Sequence, residues 1–352
     1  MADPVLTAGQ IGDLAVSTRP EENRMQIVDI SDDLQKYVFP NEILRRGKVK
    51  TVSGGKSFTW RVMVNDTGSA SHQGLAYPDR TSQVDVLTEA SADWRHSQVN
   101  YSMIKQVIQM NSDPAALVDL ELLQEKAAMK SWIALIESTW FGPSVSSSDL
   151  VTPWGMKTWL QRNASEGFNG GNPSGYSSIG LDSDANANWK NWTALYTNVT
   201  DDDFIRKLSK AILFTQFKPA VDGLPLLNKG GGNDYMQFST YGLIRPLEEY
   251  LKASNQDLGV DIDKYAGAVV VNRRPIIWCP ALEADTTNPF YFVCMADVFL
   301  YRLKNFWMRR TMFENLPGVH NVKATWFDFT WQIVFVNRRG SGVLATSTTD
   351  PT

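Results

Sequence analysis

The chain has 352 residues, a net charge of −4 and only two cysteines. That length suits one large or two ordinary domains with a substantial core. The acidic balance argues against a nucleic-acid binder that works by neutralising phosphates, and two thiols are too few for a disulfide framework or a four-cysteine zinc site.

Residues 1–50 read as an arm: Pro4, Gly9, Gly12 and Pro20 interrupt it, and its apolar residues come singly or in short groups. Ser31-Asp32-Asp33 is a possible helix start, and Tyr37, Val38, Phe39, Ile43 and Leu44 after it need cover from elsewhere. Met1-Ala2-Asp3-Pro4 does not read as a signal peptide, and no stretch is apolar for long enough to span a bilayer.

Residues 51–103 read as a long β-hairpin. Phe58, Trp60, Val62 and Val64 alternate with Ser57, Thr59, Arg61 and Met63; Val84 and Val86, then Val99, Tyr101 and Met103, alternate in the same way. Between them Asn65 to Arg80 is rich in turn residues, longer than most hairpin loops, and carries Leu75 and Tyr77 with little local core to join.

Residues 113–141 then predict one long helix. Asp113 can cap it, Pro114 suits the first helical position, and Gly142-Pro143 ends it. The rod is roughly 40 Å long. Val118, Leu122, Met129, Trp132, Ile133, Ile136 and Trp140 recur at helical spacing, and Leu117, Leu120 and Leu123 add a second strip, so packing on more than one side is expected. Ile133 and Ile136 are placed on the buried face.

Residues 143–198 are rich in Ser, Gly and Asn, with Trp154, Trp159, Phe168, Tyr176, Trp189 and Trp192 among them. The expectation is an ordered but irregular surface segment. Thr200 opens a helix, with Asp203 as a near capping box, that Pro219 stops. From 219 to 305 the pattern becomes α/β: strands at Tyr235–Phe238, Ala268–Val271, Ile276–Cys279 and Phe290–Met295, and a helix around Leu247–Ala253. Residues 297–313 are ambiguous between helix and strand. Val322–Val336 predicts a long strand with Phe327, Phe329, Trp331, Ile333 and Phe335 on one face, and Gly340–Thr352 a frayed tail. Cys279 and Cys294 lie in strand-like contexts and are expected as buried thiols, with one bridge between them as the alternative.

Signatures of catalysis are weak. Gly54-Gly55-Lys56-Ser57 has Lys50 where a phosphate loop needs its first glycine, and a strand follows it instead of a helix. His72, His96 and His320 have no metal spacing, and Asp201-Asp202-Asp203 is more simply a set of helix-dipole partners than a calcium site. No catalytic residue, cofactor or metal is expected.

The order of loose arm, protruding hairpin, long helix, α/β lobe and return strand resembles the major capsid protein of tailed bacteriophages, the Hong Kong-type shell fold. The segment Glu166-Gly167-Phe168-Asn169-Gly170-Gly171-Asn172-Pro173-Ser174-Gly175-Tyr176, with Trp189-Lys190-Asn191-Trp192-Thr193 after it, is similar to a subgroup of those sequences, as is Asp285-Thr286-Thr287-Asn288-Pro289. The resemblance implies an α+β fold: N-terminal arm 1–50, extended loop 51–103, peripheral domain 104–218 and 306–352 built on a spine helix, and axial domain 219–305. It also implies a structural protein that assembles through hexamers and pentamers into an icosahedral virion shell around double-stranded DNA, in the host cytoplasm, with a scaffolding protein, a portal and a decoration protein as partners and no membrane. Because the chain begins almost at the arm, a separate scaffolding protein is the expectation. Some members of the family weld subunits through a lysine in the extended loop; Asn65 to Arg80 has none and Lys56 sits at the hairpin base, so no weld is expected.

Aromatic residues and arginines favour interface cores, which makes Trp60, Leu75, Tyr77, Arg80, Trp94 and Arg95 the candidate contacts with neighbouring subunits, against the plainer alternative of packing within the subunit. Two rivals remain at this stage: a nanocompartment shell of the same fold, and a carbohydrate-binding or glycoside-hydrolysing protein suggested by the tryptophans of 154–192, with Glu166, Asp182 and Asp184 as the nearby acids.

Overall fold

A computed structural model describes residues 37–64, 72, 85–110, 114–174, 176–215, 235–254, 269–271 and 274–349. The fold is α+β. Its centre is the return strand, Val322–Phe335, with buried Phe327, Phe329, Trp331, Ile333 and Phe335 alternating along it. Strand Arg95–Ile104 runs antiparallel along one edge, from Val322↔Ile104 to Trp331↔Arg95. The other edge takes Val298–Leu303 and the short strands Arg309–Arg310 and Glu314–Asn315, all antiparallel. Val49–Val52 adds to Val298–Leu303 in parallel and completes a six-stranded sheet. The ambiguous stretch 297–313 therefore holds two strands joined by irregular chain, and no helix.

The spine helix spans Pro114–Phe141. Its C-terminal half packs on the odd-numbered face of the return strand. Trp132 stacks on Phe329 at 4.1 Å between ring centroids, and Trp140 lies parallel to Phe335 at 5.7 Å. The helix Val38–Arg45 covers Trp140 from the other side, with Phe39 stacked on it at 3.8 Å. Ile136 is buried as expected, while Ile133 is half-buried against the same core. Leu123 of the expected second strip is exposed, as are Leu122 and Leu135. The helix stops where Gly155 crosses its end: a Cβ at Gly155 would lie 2.0 Å from the Thr139 carbonyl oxygen, so only glycine permits the approach.

A second six-stranded sheet has the order Trp192–Leu195, Gly342–Ala345, Phe290–Cys294, Tyr235–Ser239, Arg274–Trp278, Val270–Val271. Strands Tyr235–Ser239 and Arg274–Trp278 are parallel, and helix Tyr241–Ser254 lies between them in sequence. Phe290, Phe292 and Leu344 face the buried side chains of that helix and of Arg206–Thr215, whereas Tyr291, Val293 and Val343 join the core shared with the spine. Both cysteines are free and buried. Burial pushes the Cys294 thiol up to about 11 and Cys279 well above its usual value.

Four expectations need correction. The tryptophans of 143–198 are core and not surface: Trp154, Trp159, Trp189 and Trp192 are each buried, while Leu150, Val151 and Tyr176 are exposed and Asn172 and Asn191 tie down the surrounding main chain. The tail is not frayed throughout, because Gly342–Ala345 is a fully buried strand between two others. The turn at Thr200 is a π-turn, Asp201–Ile205, with no cap from the Thr200 side chain. Asp203 instead accepts the N–H groups of Thr197 and Asn198 and pairs with Lys207. Finally, the helix expected at Leu247–Ala253 begins at Tyr241 and carries Pro246 inside it.

Candidate assembly surfaces

The hairpin is shorter than expected: Ser57–Met63 is antiparallel to Leu87–Asp93, from Ser57↔Asp93 to Met63↔Leu87, whereas the alternating Val99, Tyr101 and Met103 lie in Arg95–Ile104, which pairs with the return strand and not with Ser57–Met63. These two strands pair with each other and with neither large sheet. The base is anchored by aromatics: Phe58 stacks on Tyr301 at 4.4 Å and lies 5.2 Å from Trp94. One face of the ribbon is covered, with Trp60, Val62 and Val64 packed against the core and Ala90 and Ala92 buried, while Met63 and Leu87 at its outer end are 43% and 56% exposed. A two-stranded ribbon is marginal in water without such cover, so its open face is available to another surface.

Of the candidate contact residues, Leu75, Tyr77 and Arg80 lie outside the described residues. Trp60 is half-buried, with its ring 6.5 Å from that of Trp159. Trp94 and Arg95 work inside the subunit. Trp94 is the single residue between Leu87–Asp93 and Arg95–Ile104, and its indole N–H donates to the Gly55 carbonyl at 3.0 Å, tying the two legs of the hairpin together. The Arg95 guanidinium donates to the carbonyls of Leu150 at 2.7 Å and Asp149 at 3.3 Å. These two therefore set the direction in which the hairpin leaves the body.

Sequence reasoning missed a second exposed apolar region, the strap between Val298–Leu303 and the return strand. Phe306, Met308 and Met312 are exposed there, Met312 by 86%. Asn305 and Met308 both have positive φ, at 70° and 55°, which turns these side chains outward from a strap held at Arg310. Arg310 donates to the Tyr101 hydroxyl and pairs with Glu121 at 2.7 Å and Glu125 at 3.5 Å on the spine. The run of basic and apolar residues in 304–313 is the only sequence signal for it, and no period singles it out.

Buried charge ties the segment 157–162 to the loop that leads into Phe290–Cys294. Asp285 accepts from Arg162 at 2.6 Å and lies 3.1 Å from the Lys157 ammonium, and all three side chains are almost fully buried. Arg162 also donates to the Thr287 hydroxyl, the Tyr291 hydroxyl and the Thr349 carbonyl. Burial pushes the Asp285 carboxyl upward, but the Thr287 hydrogen bond and the two cations outweigh it and hold the group below its ordinary range.

Nothing resembling a sugar site is assembled. The tryptophan faces of 154–192 are in the core. Glu166 pairs with Lys210, and Asp182 accepts the N–H groups of Asp184 and of the Asn172 side chain. Among the described residues no group of three His, Cys, Asp or Glu side chains is placed to hold a metal ion, and no helix is long and apolar enough to cross a membrane.

No protein-family model and no curated protein matches the chain. Solved structures do. The cyanophage A-1(L) capsid aligns over 93% of this chain and 97% of its own, at 12% identity and a TM-score of 0.60. A structure from Gordonia phage Cozz aligns over 98% of both chains, at 12% identity and a TM-score of 0.54. The capsid of the native GTA particle aligns over 92% and 95%, at 11% identity and a TM-score of 0.52. The fold is that of the phage capsid proteins. At such identity the shared content is the arrangement of buried faces.

Proposed function

We propose that this chain is the structural subunit of an icosahedral phage head: it assembles through hexamers and pentamers into a shell enclosing double-stranded DNA and catalyses no reaction. The observation that carries this reading is the alignment to the cyanophage capsid over nearly the whole of both chains. The division into arm 1–50, extended loop 51–103, peripheral domain 104–218 with 306–352, and axial domain 219–305 belongs to the same proposal. So do the partners (a scaffolding protein, a portal and a decoration protein) and residence in the virion after assembly in the host cytoplasm. The work is done by association free energy distributed over large contacts. Trp60, Leu75, Tyr77 and Arg80 are the proposed contacts with the neighbouring subunit, and Trp94 and Arg95 fix the hairpin's base.

The test is to replace Asp66–Asp79 by a short Gly-Ser turn. A short turn can close the ribbon, so the subunit keeps its circular dichroism and cooperative melt. Each copy loses its share of intersubunit contact. A few kcal/mol lost per contact shifts assembly toward free subunits or loose capsomers by mass action. Sedimentation velocity beside the melt reads both. Wild-type-like shells from the shortened chain would overturn the assignment of this hairpin to assembly.

A further inference from the structure

The contact between the helix Val38–Arg45 and the spine is built around an ionisable group. Glu137, on the spine's last turns, is 7% exposed. Its two carboxyl oxygens accept the N–H groups of Val38 at 3.2 Å and Phe39 at 2.9 Å, the first main-chain donors of the short helix. These donors have no partner within their own helix, and the preceding Tyr37, at φ 74°, provides no side-chain cap. One turn away, Phe39 stacks on Trp140 within 7° of parallel. The carboxyl is thus both the cap of the short helix and the polar centre of its docking site. Residues 1–36 lead into this segment, so its docking fixes where the arm meets the body.

Among the described residues no cation pairs with this carboxyl. On the short helix, Glu42 is engaged with Arg45 and Arg46. Lys157, on the short helix Met156–Trp159 packed against the spine, is turned to Asp285. From the segment that follows Arg274–Trp278, the titratable groups are the Cys279 thiol, pushed up by burial and by the charge of Glu137, and Glu283, which accepts the Tyr241 N–H and the Trp278 indole N–H. Tyr37 adjoins the two donors.

We propose that Glu137 is a proton-operated latch: protonated, it holds segment 37–46 on the spine, and loss of its proton loosens the segment from the body.

The direction follows from two opposing effects. The two N–H donors favour the carboxylate, but burial outweighs them and lifts the group from its ordinary value to about 7. Undocking the segment lets water reach the carboxyl and returns it toward its ordinary value near 4.5. The proton therefore binds the docked form more tightly. The stabilisation of docking is complete below the ordinary carboxylate range and is lost as pH rises through about 7. Linkage between those two values gives a rise of about 70-fold in the open-to-docked ratio between pH 5 and pH 8, with little further change above.

The experiment is amide hydrogen exchange followed by mass spectrometry on the full chain, reading residues 38–46 with the core strand Val322–Phe335 as internal control. Each rate is divided by the intrinsic exchange rate at its pH. The expected result is protection at 38–46 that falls about 70-fold from pH 5 to pH 8 while the control strand stays flat. In Glu137→Gln, which keeps the size and removes the titration, the profile at 38–46 is flat. A wild-type profile that is already flat, or a slope that survives in Glu137→Gln, overturns the latch. Should the variant not fold, the wild-type profile decides alone by the same criterion. The reading concerns one subunit, so its failure leaves the assembly proposal intact, and failure of assembly leaves the latch measurable.

Discussion

Asp285 offers the sharpest test of how the segment 157–162 is held against the second sheet. Changing it to Asn keeps the size and the capacity to accept a hydrogen bond but removes the carboxylate facing both Arg162 and Lys157, whose side chains are 4% and 7% exposed. Two cations then face a neutral amide in a region with almost no water. Breaking a buried charge pair by removing one partner costs about 3–5 kcal/mol. For a chain of this size about 2 °C of melting temperature is lost per kcal/mol, so Asp285→Asn is expected to melt about 6–10 °C lower at pH 7. The pH dependence supplies a second signature. Because the Asp285 carboxyl is held below its ordinary range, its contribution is complete above that range and is lost as pH falls through the depressed value. The gap between wild type and variant therefore narrows in acid. Asp184, with a side chain 81% exposed and an ammonium 3.6 Å away, is the control; Asp184→Asn changes stability by less than about 0.5 kcal/mol. A loss under about 1 kcal/mol for Asp285→Asn, unchanged toward acid pH, would refute the view that this charge cluster holds the segment 157–162 to the second sheet.

Three further outcomes are expected. Ile136→Asp puts an unpaired charge at a 4% exposed position and costs several kcal/mol, so insoluble protein is expected; soluble, cooperatively melting protein would contradict the placement of the spine's buried face. Leu122→Asp, at a 48% exposed position, leaves the monomer melt within about 0.5 kcal/mol of wild type; a larger drop would show that this face is covered within the subunit. With no lysine in Asn65 to Arg80, particles boiled in denaturant should run as single subunits on a gel; a ladder would point to chemistry at another lysine, Lys56 at the hairpin base being the first to mutate.

The parts of the fold legible in the sequence are those with a long, clean period. The spine needed only Pro114, its apolar spacing and Gly142-Pro143, and the return strand only five alternating apolar residues. Of the hairpin, only Ser57–Met63 was legible for the same reason, because its partner Leu87–Asp93 has little apolar alternation and the alternating Val99, Tyr101 and Met103 belong to the strand beside the return strand. Segment 143–198 was not, because its tryptophans are buried by irregular chain whose polar side chains satisfy the main chain locally, a pattern with no period to read. The strand Gly342–Ala345 is four residues long inside a polar tail, and Gly342, where a Cβ would sit 2.6 Å from the Trp192 carbonyl oxygen, weakens its strand signal while making the packing possible. For the candidate surfaces, residue type suggested Trp94 and Arg95 as outward contacts. Type does not reveal direction, and both turn inward to main-chain carbonyls. The exposed strap at 306–312 depends on two positive-φ residues that no pattern announces.

The central claim is that these surfaces exist to be covered by further copies of the same chain. Negative-stain electron microscopy of the purified full-length protein tests it most directly. The account predicts closed shells or capsomer rings of five and six subunits; a field of isolated monomers at high protein concentration would contradict it.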